Sequence, residues 1–168
     1  MSSLVWSEAL SLSMPVMDQT HQEFVELLST ASSSDDEHLL AHWEVLIDHT
    51  QAHFDREDAW MQATGFAPVN CHSTQHGVVL KVLKEGLAAG KQGSLNTIRM
   101  MAHELGLWFA QHAQSMDAAL ALHLKSMGFD PDCPDAMPAK PVATELIAGC
   151  GGACHEPPAA NPAAVAVN

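Results

Sequence analysis

The sequence predicts an all-α protein: an up-down-up-down four-helix bundle with an irregular N-terminal arm and a Pro/Ala-rich C-terminal tail. Apolar residues recur at helical spacing in four segments, and short stretches rich in Gly, Ser and Asp join these segments. No segment shows the alternation that is typical of a half-buried strand, and we find no internal repeat. Helices with short connections pack as antiparallel neighbours, which favours the bundle.

The bulk composition narrows the class of protein. The 168 residues suffice for one domain, and 47% hydrophobic residues can fill its core. The net charge of -13 argues against nucleic acid and anionic membrane as partners, because both attract Lys and Arg. We find neither a signal-peptide pattern nor an apolar stretch long enough to span a membrane, so we expect a cytoplasmic protein. Three of the four cysteines lie in the tail, which is not the pattern of a disulfide framework for the core: Cys71, Cys133, Cys150 and Cys154.

The first part of the chain contains the arm and one helix. The arm covers residues 1–16. The first helix is predicted over residues 17–30, where apolar side chains form one stripe. A loop rich in Ser and Asp follows over residues 31–36, and Asp36 is the expected N-cap of the next helix.

Three further helices are predicted from helical stripes that turn residues separate. Gly65 fits the C-cap of the second helix, and Pro68 fits the restart beyond it. Ser94 fits the N-cap of the fourth helix. The predicted bounds are 37–64 for the second helix, 70–89 for the third, a turn over 90–93, and Ser94 to about Gly128 for the fourth.

The composition changes after Gly128. Seven of the nine prolines lie at Pro131 or later, among many alanines, so this part cannot continue the bundle as helix. We predict a helical domain over residues 1–128 and a flexible tail over 129–168. Residues 150–155 read Cys-Gly-Gly-Ala-Cys-His, but haem attachment normally needs two residues between the cysteines. An unstructured tail is the prediction, and a redox-active or metal-binding tail is the alternative.

Two pairs of side chains that commonly bind metals lie four residues apart, His53 with Glu57 and His72 with His76. Residues i and i+4 share one face of a helix, so each pair can converge on one ion, or on two ions that share a carboxylate. The turn between the pairs makes their helices antiparallel, with both pairs pointing across the gap. The other candidate ligands on the predicted helices are His21, His112 and Asp117.

One spacing in this set departs from a regular helical face. His112 and Asp117 are five residues apart, which is about 140° around an ideal α-helix. The two side chains can reach one site from its flanks, or a π-bulge can realign them.

Together these residues resemble the motifs of the hemerythrin family, specifically the bacterial hemerythrins (bacteriohemerythrins), over about residues 4–125. Seven ligand types in the family's order and spacing make the signal specific, and the same five-residue step occurs in the family. The residues that carry the resemblance are Trp6, Asp18, Gln19, Thr20, His21, His53, Phe54, Glu57, Asp58, Met61, Gly65, Phe66, His72, His76, Trp108, Phe109, His112 and Asp117.

The resemblance implies two non-haem iron ions. It assigns His72, His76 and His112 to one iron and His21 and His53 to the other, with Glu57 and Asp117 available to both. Two octahedral ions need twelve ligand positions. If both carboxylates bridge and an oxo or hydroxo ion is shared, one position remains on the second iron for a small ligand.

Aromatic residues beside the ligands are predicted to line a dry pocket, although the same residues would also serve as ordinary core. They are Phe24, Phe54, Trp108 and Phe109. The family commonly has leucine at the position of Phe109 and a larger aliphatic residue at that of Ala113, so the pocket volume is where this chain departs from the pattern. Four histidines outside the motif are predicted to be ordinary core or surface residues: His42, His49, His103 and His123. His49 lies one helical turn before His53, so it could instead hydrogen-bond to that ligand.

The function that the resemblance implies is reversible dioxygen binding, for storage, transport or delivery, without catalysis. The alternatives on the same irons are an oxidase or an enzyme that handles nitric oxide or peroxide, and a sensor of oxygen or redox state. The Glu-x-x-His repeats of four-carboxylate di-iron proteins are absent, and the chain has no tyrosine for a radical. The expected partners are dioxygen and either an oxygen-using enzyme or a reductase.

Overall fold

The computed structural model describes residues 4–66, 70–129 and 131. Within these residues there are helices and no strand. A short 3-10 helix, Glu8–Leu10, interrupts the N-terminal arm. The α-helices are α1 (Pro15–Ser33), α2 (Leu39–Thr64), α3 (Cys71–Lys91), α4 (Leu95–His112) and α5 (Ala118–Ser126), with a π-helical segment, Ala113–Asp117, between α4 and α5.

The helices form the predicted all-α four-helix bundle. Each of α1 to α4 packs against the next, and α4 also packs against α1, which closes the bundle. The π-helical segment and α5 continue the fourth helix, so the predicted long fourth helix exists with one local change of winding. None of the described helices combines the length and the apolar character that crossing a membrane requires.

The connection between α1 and α2 differs from the prediction at both ends. Helix α1 begins at Pro15, not at residue 17, because proline suits the first turn, where no helical N–H bond is needed. It continues through Ser33, not to residue 30. His38, not Asp36, occupies the N-cap position of α2, which begins at Leu39 without a side-chain capping bond. In the turn before it, Asp35 Oδ1 accepts a hydrogen bond from the backbone N–H of His38 at 2.9 Å.

The turns around α3 follow the prediction more closely. Gly65 caps α2 in the left-handed conformation with φ of 69°, as its lack of a side chain allows. Asn70 caps α3 by accepting the backbone N–H of Ser73. Gly90 lies inside α3 and not in the predicted turn, and a side chain there would collide with Ile98 and Leu40. Ser94 occupies the predicted N-cap position of α4, but without a side-chain capping bond. Pro68 lies outside the described residues.

The core consists of two hydrophobic clusters, one above the other along the bundle. The first surrounds Trp43, whose Nε1 donates a hydrogen bond to the backbone oxygen of Leu83 at 3.1 Å. Trp6 of the arm packs against this cluster. The second surrounds Trp60 and Leu120. On α1, α2 and α4 with its continuation, the candidate ligands occur in sequence between residues of the two clusters, so they form a polar layer with apolar side chains on both sides.

The predicted tail lies outside the described residues, apart from Phe129 and Pro131. Phe129 is buried and packs edge-on against Trp60, with ring centroids 6.4 Å apart. The boundary between a domain and a tail near residue 128 therefore stays a prediction. The same holds for the suggested roles of Cys133, Cys150 and Cys154.

Candidate metal centre

Seven candidate ligands predicted from the sequence converge in the polar layer between the two clusters. They come from all four long helices, counting the π-helical segment with α4. Their side chains are buried, with at most 3% of any residue exposed. They form two sets, whose ligand atoms lie within 4.8 Å of one another: Glu57, His72, His76, His112 and Asp117 in one set, and His21, His53, Glu57 and Asp117 in the other.

Glu57 belongs to both sets because its two oxygens face different histidines. Its Oε1 lies 3.1 Å from Nε2 of His53, which is one helical turn before it. Its Oε2 lies 3.4 Å from Nε2 of His72 and 3.5 Å from Nε2 of His76, both on α3. One carboxylate thus spans the space between α2 and α3.

Asp117 divides its oxygens in the same way on the opposite side of the layer. Its Oδ1 lies 2.9 Å from Nε2 of His72 and 3.1 Å from Nε2 of His112, and its Oδ2 lies 3.2 Å from Nε2 of His21. The π-helical segment Ala113–Asp117 makes this possible, because it absorbs the extra residue between His112 and Asp117. Of the two sequence-based alternatives for this step, the π-bulge is the one found.

Most of the polar atoms in this layer have no hydrogen-bond partner. Both ring nitrogens of His21, His53 and His72 and both oxygens of Glu57 and Asp117 are buried without one. Unpaired buried polar atoms are rare and costly, so a cluster of them indicates that a ligand is needed to satisfy them. Imidazole nitrogens and carboxylate oxygens within reach of one another form a donor set for transition-metal ions such as iron.

The electrostatics of the layer keep both carboxylates ionised. Burial and the charge of Asp117 raise the pKa of Glu57, but the nearby imidazoles, His53 first, outweigh them and bring that pKa to about 2. Burial also raises the pKa of Asp117, and three close imidazoles lower it well below its usual value. Negative charge on the shared ligands is what a pair of cations requires.

The pKa values of two candidate-ligand histidines shift in opposite directions. Burial lowers the pKa of His72, but its contacts with Asp117 and Glu57 raise it to about 9. Burial and the neighbouring charge of His72 lower the pKa of His76 to about 4. In the metal-free layer at neutral pH, His72 therefore carries a proton in addition to the one of its neutral ring, and His76 does not.

Comparison with known proteins bears directly on this layer. The family model described as the hemerythrin HHE cation binding domain matches residues 14–122. A bacteriohemerythrin of Ralstonia nicotianae is 34% identical over 130 residues, which cover 77% of this chain and 95% of that protein. The chain belongs to the hemerythrin family.

A second bacteriohemerythrin, from Stenotrophomonas maltophilia, is 28% identical over 133 residues, 75% of this chain and 84% of that protein. No solved structure gave a significant match. Membership of the hemerythrin family implies a non-haem iron site, and the donor set of this layer fits one.

Two residues that contact the candidate ligands were not assigned a role from the sequence. Asp58 accepts a hydrogen bond from Nδ1 of His76 at 3.0 Å and another from the Ser73 hydroxyl at 2.9 Å. Gln75 Oε1 lies 3.2 Å from Nδ1 of His112. Acceptors on the far nitrogen fix the tautomer and the orientation of a ligating imidazole. The sequence feature that could have indicated these roles is position: Asp58 directly follows Glu57, and Gln75 directly precedes His76.

Three of the four predicted pocket aromatics contact the ring of a candidate ligand, on different sides of the layer, and the fourth, Phe24, stacks on Phe109. Phe109 meets the His21 ring edge-on at 5.2 Å and stacks on Phe24 at 4.3 Å. Phe54 stacks on His76 at 3.9 Å and also touches His53, at 5.3 Å between ring centroids. Trp108 stacks on His112 at 4.4 Å, so it borders the three-histidine set and not the His21–His53 pair.

The histidines outside the motif do not enter the ligand sets. His49 comes nearest, with its ring 6.5 Å from that of His53 and its Nε2 3.2 Å from the backbone oxygen of Thr20. His123 contacts Thr64 instead, and His103 is exposed. His42 contacts Ser34. Cys71 is a free, half-buried thiol beside the second cluster.

Proposed function

We propose that this chain is a bacterial hemerythrin that holds two iron ions and binds dioxygen reversibly. The observation that carries the proposal is the sharing of Glu57 and Asp117, each of which turns one oxygen toward each set of histidines. A layer built for one ion would not need two carboxylates with this double orientation. Five imidazoles and two carboxylates also exceed the four ligands that one tetrahedral zinc takes.

The two sets are unequal, and their inequality supports an open position. The three-histidine set offers three imidazoles and two carboxylate oxygens, and the two-histidine set offers two of each. With one oxo or hydroxo ion shared, an octahedral ion is complete in the first set and lacks one ligand in the second. A small molecule would bind next to His21 and His53.

The residues around that position would keep water away. Phe109 and Phe24 are each only 1% exposed; Phe109 contacts the His21 ring, and Phe24 stacks on Phe109. Phe54 is 2% exposed and covers His53 from α2. Two ferrous ions would supply the electrons that binding dioxygen requires. The apolar cover disfavours the loss of charged reduced oxygen species, because separating charge and delivering protons are both costly there.

Reversible binding is therefore favoured over turnover, and we infer a carrier or store and not an enzyme. The expected recipient or reductase and the cytoplasmic location stay predictions from the sequence.

The test is to cycle the fully reduced protein, with two irons per chain verified by metal analysis, between argon and air. We expect the visible spectrum of the deoxygenated form to return over many cycles. Phe109→Ala should admit water and shorten this series by about tenfold or more, whereas Leu107→Ala, at a 59% exposed position on the same helix, should not. Full oxidation of wild type in a single exposure, with peroxide released or reductant consumed catalytically, would favour the enzyme alternative. One iron per chain, or zinc, would overturn the proposal.

A further inference from the structure

Two histidines at the start of α2 form a second cluster of metal-ligating groups, far from the candidate metal centre. His38 and His42 are one helical turn apart, and their rings face each other at 22° with centroids 6.1 Å apart. The His38 side chain is 59% exposed, and His42 is half-buried. His42 lies 11 residues before His53, which corresponds to about 16 Å along the helix.

One nitrogen of the His38 ring, Nδ1, already has a hydrogen-bond partner. Its Nδ1 lies 2.7 Å from Oδ1 of Asp35, and the same oxygen accepts the backbone N–H of His38. A carboxylate can only accept, so Nδ1 must carry the hydrogen in the neutral ring. The lone pair of that ring is then on Nε2.

The His42 ring is fixed in the same way by a different partner. Its Nδ1 contacts the hydroxyl of Ser34, and that hydroxyl donates its own hydrogen to the backbone oxygen of Thr30 at 2.7 Å. The hydroxyl must therefore accept from Nδ1 of His42, which again leaves the lone pair on Nε2. In the described part of the chain, neither Nε2 has a protein partner.

We propose that His38 and His42 bind one divalent transition-metal ion through their Nε2 atoms, with water in the remaining positions. With about 2.1 Å from Nε2 to the ion and about 1.1 Å from Nε2 to the ring centre, the observed 6.1 Å between ring centres corresponds to an N–metal–N angle of about 145°. Neighbouring ligands of a tetrahedral or octahedral ion need ring centres about 4.5–5.2 Å apart, so the exposed His38 ring would move toward His42 by roughly 1–1.6 Å to share an ion. Imidazole ligands suit Ni²⁺, Cu²⁺ and Zn²⁺, and a bound carboxylate or hydroxyl on Nδ1 is the usual support of a ligating histidine.

The local charges are compatible with a cation. The N-terminus of α2 disfavours positive charge, but Asp35 and Glu37 lie beside the pair and oppose this effect. The hydrogen bonds from His38 lower the pKa of Asp35 and keep it ionised. Asp36 is paired with Arg99 at 2.7 Å, which neutralises that guanidinium.

The test is calorimetric titration of the full iron-loaded chain with Ni²⁺ at pH 7.5. His38→Ala and His42→Ala should each weaken the binding of one Ni²⁺ by at least about tenfold. His103→Ala, which removes an exposed histidine of α4, should leave it unchanged. Ligands elsewhere in the chain, including the tail cysteines, are common to all four proteins and cancel in the comparison. Iron content measured before and after checks that Ni²⁺ has not entered the candidate metal centre.

A second readout is the urea midpoint of unfolding. An ion that binds only the folded chain raises this midpoint, so Ni²⁺ should raise it in wild type and in His103→Ala and not in the two pair variants. Asp35→Asn should weaken the site while leaving both imidazoles present, as expected for a residue that orients a ligand. Equal Ni²⁺ affinity in wild type, His38→Ala and His42→Ala would overturn the proposal.

Discussion

Asp58 is a side chain outside the candidate ligand sets that contacts one of their histidines. It is 41% exposed, yet it accepts hydrogen bonds from both His76 and Ser73. A carboxylate on the far nitrogen raises the basicity of an imidazole and fixes its ring. The candidate metal centre thus depends on a residue at the edge of the layer.

We therefore expect Asp58→Asn to lower the iron affinity by about tenfold, because the amide keeps the size of the side chain but removes its charge. Competition with a chelator, followed by iron release, measures the change. Asp55→Asn is the matched control, since Asp55 lies on the same helix, is exposed and, among the described residues, accepts a side-chain hydrogen bond from Gln51 and not from a candidate ligand. Equal iron release from the two variants would show that Asp58 does not position His76.

The raised pKa of His72 predicts that iron loading depends on pH. Burial lowers its pKa, but Asp117 and Glu57 raise it to about 9, above the ordinary 6.5. A raised pKa in the folded state stabilises the metal-free fold fully below about pH 6.5, and this contribution disappears as the pH rises through about 9. At neutral pH the metal-free protein therefore carries a proton on a ligand.

Metal loading at pH 7.5 should consequently release at least one proton, and the apparent iron affinity should rise with pH up to about 9. Calorimetry in buffers of different ionisation enthalpy counts the protons. The variant His103→Ala should release the same number. If loading releases no proton, then His72 is neutral in the metal-free chain and our account of its contacts with the carboxylates is wrong.

Among the elements, the π-helical segment Ala113–Asp117 has the largest consequence for the site. It lets His112 and Asp117 serve the same layer while Leu120 and Leu124, both fully buried, remain on the inner face. Segments of this kind are rare and frequently occur at functional sites. From the sequence, the five-residue step left two alternatives open, a reach from the flanks of a regular helix or a π-bulge, and the structure has the π-bulge.

Inserting one alanine after Ser115 should therefore abolish iron binding. One residue turns an α-helix by about 100°, which moves Asp117 and the following leucines away from the layer. We also expect the free energy of unfolding to fall by at least about 2–5 kcal/mol, the usual cost of losing one buried leucine. Metal analysis and urea unfolding measure the two effects. Ser115→Ala, which changes the same exposed position without changing the register, is the control, and iron retained by the insertion variant would contradict this role of the segment.

The helices and their buried faces were predictable from the sequence, because apolar residues at helical spacing mark the face that is buried. Several helix ends were not predictable. The N-cap of α2 lies at His38 and not at the predicted Asp36, because a turn in which Asp35 accepts the backbone N–H of His38 comes before the helix. The sequence also could not decide between an α-helix and a π-helix at residues 113–117. The spacing of candidate ligands indicates that they meet, but it does not specify the backbone conformation between them. The sequence could not show which candidate ligands Trp108 contacts. That depends on how α4 packs against α3, and no local sequence pattern contains this information.

At the scale of the whole molecule, the polar layer is stabilised by the apolar clusters on either side. Unpaired buried carboxylates and imidazoles are destabilising in isolation, so the bundle must hold them by packing until a metal binds. Trp43 and Trp60 are the largest side chains of the two clusters, and they are 0% and 7% exposed. Loading with iron should thus act as a stabilising ligand for the entire fold.

The extent of the stable unit gives the last prediction. Phe129 is the final residue seen to pack in the core, and the proline-rich sequence begins at Pro131. Removing residues 131–168 should leave helicity and iron content unchanged and alter the free energy of unfolding by no more than about 0.5 kcal/mol, as for changes away from the core. Removing residues 129–168 instead also deletes Phe129, and should cost about 3–5 kcal/mol because its contact with Trp60 is lost. Circular dichroism, iron analysis and urea unfolding compare the two truncations. If the shorter deletion already destabilises the protein as much as the longer one, then residues beyond 130 pack on the bundle and the predicted domain boundary is wrong.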